Sequence, residues 1–350
     1  MFINTAWKEF LSQHGAIFDD NVVDHFGDKT QELITTQNTN ILADLSHFGI
    51  IKVEGEEAES FLQNQFSNDI HSVNPSQSQL SAYCSPKGRM LAGFQIFKFE
   101  NAYFLRLPAS ILEATLKRLR MYVLRSKVTL EDASTQWVRF GISGIESVSV
   151  LQKEFSSVPS NINEVVQIAQ ICIIRLPGSI PRFELHGERE AMQKRFEQLS
   201  TVATPVGMHA WNWLAIKAGV PEIYPQTVED FVPQMVNYAA LNGISFKKGC
   251  YPGQEIVARM HYLGKLKRRM YLLHTDSNTL PSPGDEIYCK SSGDSSCGKI
   301  VDAQCSPEGG IDLLAVVQIA KAEAELLYLD ASNNTSLQMG KLPYTVTNEA

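Results

Sequence analysis

The sequence predicts an α+β protein with two plait (ferredoxin-like) units and a β-rich C-terminal part. Between residues 41 and 142 the pattern runs strand, helix, strand, strand, strand, helix, strand, which is typical of a plait and not of a doubly wound sheet. A similar mixture recurs from residue 137 to about 220. After Gly264 short apolar runs alternate with Gly, Ser, Asp and Pro clusters, which predicts a small β-barrel or sandwich.

The first plait begins after an N-terminal segment that we interpret as a leader helix and a polar linker, residues 1–40. Ile41–Gly55 is predicted to form two short strands around a turn, and Ile51 and Val53 alternate with the polar Lys52 and Glu54 in the second strand. Helical spacing follows over Glu56–Phe66. The remaining predicted elements of this part are a hairpin at Leu80–Phe99 around Ser85–Gly88, a strand at Ala102–Leu107, a helix at Ser110–Tyr122, and strands at Val128–Leu130 and Trp137–Ile142.

The same patterns predict the strands and helices of the rest of the chain. The second mixed part is predicted to contain strands at Val166–Leu176 and Arg182–Leu185 and helices at Glu188–Leu199 and Met208–Ala218. The β-rich end is predicted to contain strands at Arg269–His274, Glu286–Lys290, Gly298–Ala303, Leu313–Ile319 and Glu323–Leu329. A length of 350 residues favours two or three domains over one core.

Composition narrows the class of protein. A hydrophobic fraction of 44% and a charged fraction of 20% are those of a globular protein. The N-terminus has no secretory or transit pattern, and no apolar run approaches the roughly 20 residues of a membrane span. Six cysteines without a C-x-x-C pair indicate reduced thiols. We therefore expect a cytoplasmic protein that does not contact the membrane.

Charge is unevenly distributed along the chain. The net charge of -7 argues against a protein that coats nucleic acid, yet the window from Ile244 to Met270 has seven basic residues and one acid. This basic window indicates a specific anionic partner, either a polyanionic small molecule or a structured RNA. If the partner is a tRNA, it would contact the stretch from Lys247 to Arg269. A solvated basic face is the alternative that the pattern leaves open.

The most informative stretch is Asn242–Arg259, which contains the motif K-G-C-Y-P-G-Q-E. Gly249 and the Pro252-Gly253 pair interrupt any helix or central strand, so a tight loop is predicted there. Helical propensity returns from Gln254 to Met260. The loop should therefore precede a helix whose N-terminus favours anions.

Cys250 is the candidate functional thiol within this loop. Cationic neighbours such as Lys247 and Lys248, together with a helix N-terminus, favour a reactive thiolate. A buried structural cysteine is the alternative reading. No histidine flanks Cys250, so a Cys-His pair with His47, His209 or His261 would depend on the fold.

Other chemistries lack their motifs. The chain has no G-x-S-x-G elbow, phosphate-binding P-loop, dinucleotide G-x-G-x-x-G or H-E-x-x-H sequence. Cys289, Cys297 and Cys305 do not have zinc-site spacing, so no metal site is predicted. Trp211 and Trp213 are two apart on a predicted helix and cannot face the same way, which suggests that one packs in the core and the other lines a cleft.

The loop motif resembles the YgfZ family. The resemblance rests on Phe231–Asn237 and on Gly243–Glu255. It extends more loosely through three further stretches, which are Gly55 with Phe61–Gln63 and Asn68–Asp69, Cys84 with Lys87–Met90, and Ala218–Pro221. It implies a folate-binding protein connected with tRNA modification and the maintenance of iron–sulfur tRNA-modifying enzymes. It also implies a fold related to the aminomethyltransferase (T-protein) of glycine cleavage.

The resemblance further implies a T-protein-like ring of three domains. These are residues 1–54 with 136–262, which carry the loop, residues 55–135, and the barrel of residues 263–350. A tetrahydrofolate or a derivative would stack on Phe48 and Trp211, Phe48 standing where relatives carry Trp. The other implied cofactor-binding residues are Lys247, Tyr251, Gln254 and Glu255, and Lys248 joins Cys250 as a catalytic candidate.

One departure bears on the reaction. The aminomethyltransferases have an acidic residue on the strand after a Gly-Gly turn, and this chain has Leu91 and Ala92 at that place. Aminomethyl transfer is therefore not expected. The leading hypothesis is a folate-binding accessory protein with Cys250 as its functional thiol, and enzymatic activity is not favoured. The alternatives are a tetrahydrofolate-dependent one-carbon transferase or demethylase, and a direct tRNA-binding module.

Overall fold

The computed structural model describes residues 3–262, 264–293, 295–332 and 334–346. Its strands are β1 (Ile17–Asp19), β2 (Val22–His25), β3 (Ile41–Asp44), β4 (Phe48–Glu54), β5 (Gln79–Cys84), β6 (Met90–Phe99), β7 (Ala102–Pro108), β8 (Thr129–Asp132), β9 (Trp137–Ser143), β10 (Val165–Ile168), β11 (Ile171–Leu176), β12 (Arg182–Glu188), β13 (Thr204–Val206), β14 (Arg268–Thr275), β15 (Glu286–Cys289), β16 (Gly298–Cys305), β17 (Ile311–Gln318), β18 (Leu327–Tyr328) and β19 (Ser336–Met339). Its helices are α1 (Thr5–Gln13), α2 (Lys29–Asn38), α3 (Ala58–Gln63), α4 (Leu112–Arg120), α5 (Ser147–Glu154), α6 (Arg189–Leu199), α7 (Met208–Lys217), α8 (Gln254–Tyr262) and α9 (Ile319–Ala324).

The chain divides into two compact units. The first comprises the residues up to Leu62 together with Ile70–Gln79 and Phe94–Leu214. The second comprises Gln63–Asp69, Leu80–Gly93 and the residues from Ala215 onward. The three-domain division implied by the family resemblance stays a prediction.

A six-stranded sheet with the order β10-β11-β12-β9-β3-β13 organises the first unit. All four residues of β3 are buried, and they alternate between two cores. Leu42 belongs to the core that includes Trp7 and Phe140, whereas Ile41 and Ala43 belong to the one that includes Trp211. Because successive side chains of a strand point to opposite faces, both faces of this sheet are covered.

A second antiparallel sheet of the first unit contains β6, β7, β4 and β8 in that order. Helix α4 packs on it so closely that a Cβ at Gly49 would lie 2.3 Å from a methyl carbon of Leu112. Leu116 and Leu119 of the helix are buried, while Lys117 and Arg120 are exposed. This confirms the predicted amphipathic helix and its place in the chain between β7 and β8.

The N-terminal segment differs from its prediction as a leader helix and a polar linker. The structure has two helices, α1 and α2, separated by the β1-β2 hairpin. The polar linker is predicted to end in the run Thr35–Asn40, but the structure continues α2 through this run as far as Asn38. The N-cap of α2, Asp28, accepts a hydrogen bond from the Gln31 amide at 2.9 Å. Leu33 and Thr36 are buried. The run is helical because an N-cap and a buried face outweigh its weak propensity.

The second unit contains a closed barrel with the order β14-β17-β16-β15-β18-β19. Its core includes Leu273, Ile287, Ile300 and Leu313, all without solvent exposure. The predicted small β-barrel is confirmed, and the sandwich alternative is wrong. The strand predicted at Glu323–Leu329 is also partly wrong, because helix α9 runs through Ala324 and β18 has only two residues. The sequence of α9, I-A-K-A-E-A, is rich in helix-forming alanine.

Between α7 and α8 the second unit has neither a strand nor an α-helix, and this irregular segment spans residues 218–253. Left-handed backbone at Asn237 (φ 60°) and Asn242 (φ 55°) helps it turn. Asn237 Nδ2 also donates to the carbonyl of Met270 at 3.0 Å. The segment ends in the predicted loop. Within the residues described here, no helix is long and apolar enough to cross a bilayer.

Candidate functional site

The signature loop, residues 247–253, forms a tight turn into helix α8. The Gln254 amide donates to the Tyr251 carbonyl at 3.1 Å, and the Val257 amide donates to the Gly253 carbonyl at 3.2 Å. Gly253 has φ +82°, a conformation that glycine adopts without strain. The predicted loop and the predicted start of the helix at Gln254 are both confirmed.

A second glycine turn packs directly behind the loop. A Cβ at Gly253 would lie 2.5 Å from the Ser85 carbonyl oxygen and 2.6 Å from the Gly88 Cα. Gly88 itself has φ +70°, and a Cβ there would lie 2.9 Å from the Cβ of Ile256. The two turns therefore touch through their backbones, and both positions need glycine. The K-G-R-M and C-Y-P-G-Q-E motifs, far apart in sequence, build one structural element of the second unit.

Lys248 anchors the loop from the inside. Its Nζ donates to the carbonyl oxygens of Gln63, Phe66 and Asn68 at 2.5, 2.6 and 3.1 Å. The residue is 8% exposed, and burial lowers the pKa of its ammonium to about 8. Because three carbonyls use its donors, Lys248 holds the loop against residues 63–69. Its assignment as a catalytic residue stays a prediction.

Side chains of the loop alternate between solvent and core. Tyr251 is buried, with the Lys248 Nζ 5.2 Å from the centre of its ring, and burial raises the pKa of its hydroxyl. Gln254 Nε2 donates to the Lys248 carbonyl at 3.4 Å and closes the turn. Lys247 and Glu255 are exposed. Of the two predicted lysines, therefore, only Lys247 displays its charge to solvent.

Cys250 is exposed at the apex of this loop. The reading of Cys250 as a buried structural cysteine is wrong. Cys84 provides the contrast, since it is buried and its burial raises the pKa of the thiol to about 12. The Cys250 thiol is thus exposed on this turn, whereas the Cys84 thiol is buried in β5, the strand that leads to the facing turn.

The two predicted folate-stacking aromatics lie in the first unit, and both are buried. Phe48 is 4% exposed, and the Arg106 guanidinium carbon lies 4.0 Å from the centre of its ring. Trp211 is 1% exposed, and the guanidinium carbon of Arg182 lies 5.2 Å from its ring. Trp213 is 4% exposed. The expectation that one of the two tryptophans lines a cleft is wrong, because both side chains are buried in the same hydrophobic core.

Glu184 connects these two aromatic contacts. Its Oε1 lies 3.4 Å from the Arg106 Nε, and its Oε2 lies 3.1 Å from the His186 Nε2. Burial alone raises the pKa of Glu184, but the charges of Arg106 and Arg182 and the His186 hydrogen bond outweigh burial and lower the pKa to about 2. We call Phe48, Arg106, Arg182, Glu184, His186 and Trp211 the ionic cluster.

The ionic cluster was not predicted from the sequence. Its members come from four distant segments, and only one local signal marks it. Arg182, Glu184 and His186 alternate along β12 and are all buried, so they share a face of the strand. Three ionisable residues at alternate positions of a buried strand are costly unless they are paired, which is a readable sign of a polar core.

The predicted site residues are therefore divided between the units. Phe48 and Trp211 belong to the first unit, and the second contains Lys247, Lys248, Cys250, Tyr251, Gln254 and Glu255. Within the described residues, no group of three or more His, Cys, Asp or Glu side chains is arranged to hold a metal ion.

The fold and the glycine-rich loop define a protein of the class that shares the aminomethyltransferase fold. The family of the GCVT N-terminal domain matches residues 16–241. The glycine cleavage system aminomethyltransferase T from Bartonella henselae is similar in structure, with a TM-score of 0.74, 18% identity and 96% coverage of both chains. At this identity the similarity establishes the fold and not the activity.

Curated relatives narrow the class to a family. The tRNA-modifying protein YgfZ from Colwellia psychrerythraea is 32% identical over 311 residues, which cover 88% of this chain and 94% of that protein. The protein of the same name from Yersinia enterocolitica is 30% identical over 322 residues, covering 91% and 97%. The chain belongs to the YgfZ family and contains its GCVT N-terminal domain, as the loop motif predicts.

Proposed function

We propose that this protein binds a tetrahydrofolate and supports tRNA modification by methylthiolation, through the maintenance of iron–sulfur enzymes. Cys250 is its functional thiol. The observation that carries the proposal is the exposed position of Cys250 on a loop fixed by two backbone-contacting glycine turns. The names of the curated relatives support the tRNA-modification role.

The loop is built to present a thiol and not to bury one. Lys248 donates to three carbonyls, and the ring of Tyr251 lies beneath the Lys248 ammonium. The backbone on either side of Cys250 is therefore held by buried side chains. Lys247 leaves its ammonium in solvent next to the turn. A fixed thiol with a cation nearby suits contact with a partner enzyme or an anionic ligand.

The ionic cluster has the chemical groups that a folate needs. A pterin offers a flat face to Phe48 or Trp211 and hydrogen-bond donors to the Glu184 carboxylate. Arg106 and Arg182 supply cations for carboxylates of a glutamate tail. These residue types fit the ligand. A bound tetrahydrofolate would serve as a carrier of one-carbon groups. Because a guanidinium covers each ring, binding requires Arg106 or Arg182 to move, and Trp211 fluorescence should report it.

The decisive experiment replaces Cys250 in a strain that lacks its own family member. Cys250→Ala should abolish rescue of tRNA methylthiolation while the purified variant keeps the folding stability and folate affinity of the parent. Cys305→Ala is the matched control, because Cys305 is the other exposed cysteine of the described chain and should rescue fully. Full rescue by Cys250→Ala would remove the thiol from the proposal.

A folate-dependent one-carbon transferase or demethylase is the second candidate. Against it stands β6, where Met90, Leu91 and Ala92 are apolar and buried, so this stretch offers no carboxylate to position a transferred group. Incubation of the full chain with 5-methyltetrahydrofolate and unmodified tRNA should leave both unchanged. Conversion of the folate that depends on Cys250 would favour the enzyme instead.

A further inference from the structure

The exposed thiol of Cys250 stands among cations that have no counter-ion. Four exposed side chains form this group, which we call the cationic face: Lys87, Lys247, Arg259 and Lys265. None of the four has an ion pair with another described residue, whereas Lys299 of the same unit pairs with Asp230 at 2.9 Å. The charge of the cationic face is therefore available to an anionic ligand.

Contacts between the signature loop, the facing turn and α8 bring these side chains together. Lys87 precedes a glycine at which an added Cβ would lie 2.9 Å from the Cβ of Ile256, in the first turn of α8. Lys247 begins the loop that leads into the same turn of the helix. At the other end of α8, Lys265 lines a cleft together with His261. The cationic face therefore follows α8 from its start to its end.

The outer surface of α8 connects these two ends. Glu255, Arg259 and Tyr262 are exposed at positions i, i+4 and i+7, so they share one side of the helix. Glu255 is the one acid among the nine residues of α8. The Tyr262 side chain is 61% exposed. This side of the helix thus combines unpaired cations with an aromatic ring that is open to solvent.

The spacing of the charges indicates a polyanion. Nine residues of α-helix extend about 14 Å, so a single phosphate or carboxylate group cannot contact both ends of the cationic face. A chain of phosphates can, and the unstacked bases of RNA pack on exposed aromatic rings. An acidic protein surface would pair with the cations but brings no planar base for Tyr262. The observations therefore favour RNA over an acidic protein.

We propose that the cationic face binds the phosphate backbone of tRNA and holds the RNA next to Cys250. An unpaired base stacks on Tyr262, and Lys87 and Lys247 contact phosphates near the thiol. The inference rests on the proposed function for the identity of the RNA. It extends that function, because the surface around the functional thiol then contacts the tRNA itself.

The salt dependence of tRNA binding by the full chain tests the charge contacts. Fluorescence anisotropy with labelled tRNA should give a slope of log K against log salt of about -3, as for four phosphate contacts. Lys87→Gln should lower the size of this slope by roughly 0.7 and weaken binding about threefold to fivefold. Lys194→Gln should change neither, because Lys194 is an equally unpaired, exposed lysine on α6 of the first unit. No binding at low salt, or equal losses in the two variants, overturns the proposal.

Thiol labelling locates the RNA on the surface. Cys250 and Cys305 are the exposed cysteines of the described chain. Saturating tRNA should slow the reaction of Cys250 with a maleimide severalfold and leave the rate at Cys305 unchanged, with mass spectrometry reading each cysteine separately. An undiminished rate at Cys250, or equal protection of both thiols, would contradict RNA contact at the loop.

Poly-L-glutamate is the probe for the other class of polyanion, an acidic protein surface or the glutamate tail of a folate. Tyr262→Leu should weaken tRNA about fivefold or more, as for the loss of one stacked base, and should leave the binding of poly-L-glutamate unchanged. Poly-L-glutamate that binds as tightly as tRNA at the same ionic strength, or unchanged tRNA affinity in Tyr262→Leu, rejects the assignment to RNA.

Failure of this inference is distinguishable from failure of the proposed function. Cys250→Ala removes no cation, so it should keep the tRNA affinity of the parent while it loses rescue. Full rescue by Cys250→Ala would reject the functional thiol and leave the tRNA contact standing. Absence of tRNA binding would reject the contact and leave the rescue result unaffected.

Discussion

The signature loop and the ionic cluster differ in the exposure of their key side chains. The loop places Cys250 in solvent and secures it with a buried ammonium and two glycine turns. The cluster buries its charges completely, with Glu184 and His186 at 0% exposure, and balances them against one another. An exposed loop needs contacts from within that hold its backbone, whereas buried charges need partners. Changes at the tip of the loop should therefore cost little folding stability, whereas the loss of a charged residue of the cluster should cost much.

The largest effect is expected from Glu184→Gln. The carboxylate is the counter-ion of Arg106 and Arg182, and its loss leaves buried guanidinium groups uncompensated. We expect a loss of about 4 kcal/mol in the free energy of unfolding. Urea denaturation measures it, with Glu190→Gln as the control because the Glu190 side chain is 86% exposed. Similar stabilities of the two variants would show that the cluster is not coupled as described.

The same carboxylate should make the folding stability of the protein depend on pH in the acid range. The pKa of Glu184 is 4.5 when unfolded and about 2 when folded, so the unfolded chain binds more protons between these values. The stability that Glu184 contributes is full above pH 4.5 and is lost as the pH falls toward 2. Glu184→Gln should lack this part of the acid-induced loss. A stability curve with an unchanged slope below pH 4.5 would contradict the assignment.

The next effect concerns the anchor of the loop. Lys248→Met keeps the apolar stem but leaves three carbonyls without their donor, at a cost of about 3 kcal/mol. Lys247→Met should cost less than about 0.5 kcal/mol because Lys247 is exposed. Urea denaturation gives both numbers, and hydrogen exchange should be faster at residues 63–69 and 247–251 in the Lys248 variant alone. Equal costs would argue against the anchor.

A smaller effect is expected from Gly253→Ala. The new Cβ would lie 2.5 Å from the Ser85 carbonyl oxygen, and φ is +82°, so the backbone must shift at a cost of about 2 kcal/mol. Gly249→Ala is the matched control in the same loop, because a Cβ there has nothing within 4 Å. The difference between their melting temperatures measures the contact of the two turns, and its absence would refute that contact.

The smallest effect on folding should follow from Cys250→Ala. The side chain is exposed, so its removal should change the free energy of unfolding by less than about 0.5 kcal/mol. Thiol labelling of the folded parent should modify Cys250 and Cys305 and spare the four buried cysteines. Slow labelling of Cys250 would show that the loop shields the thiol.

Local features of the chain were predictable from the sequence. Gly249 and Pro252-Gly253 predict the turn, Gln254 begins the helix, and the alternation over residues 51–54 predicts β4, because these signals act within a few residues. Helix α9 was missed, since its six residues follow a strand without a break. The place of Lys87 beside the signature loop was missed as well, because the two glycine turns that touch there come from separate segments.

The chemical content of the loop and its turn at Gly253 follow from adjacent residues alone, because the motif K-G-C-Y-P-G-Q-E is contiguous. Only the tertiary structure decided that Lys248 faces inward while Cys250 faces solvent. The three carbonyl partners of Lys248 lie some 180 residues earlier in the chain. The same holds for Glu184, which β12 brings to Arg106 of β7. Burial and charge pairing depend on which distant backbone lies within hydrogen-bond reach, and spacing along one chain does not encode that distance.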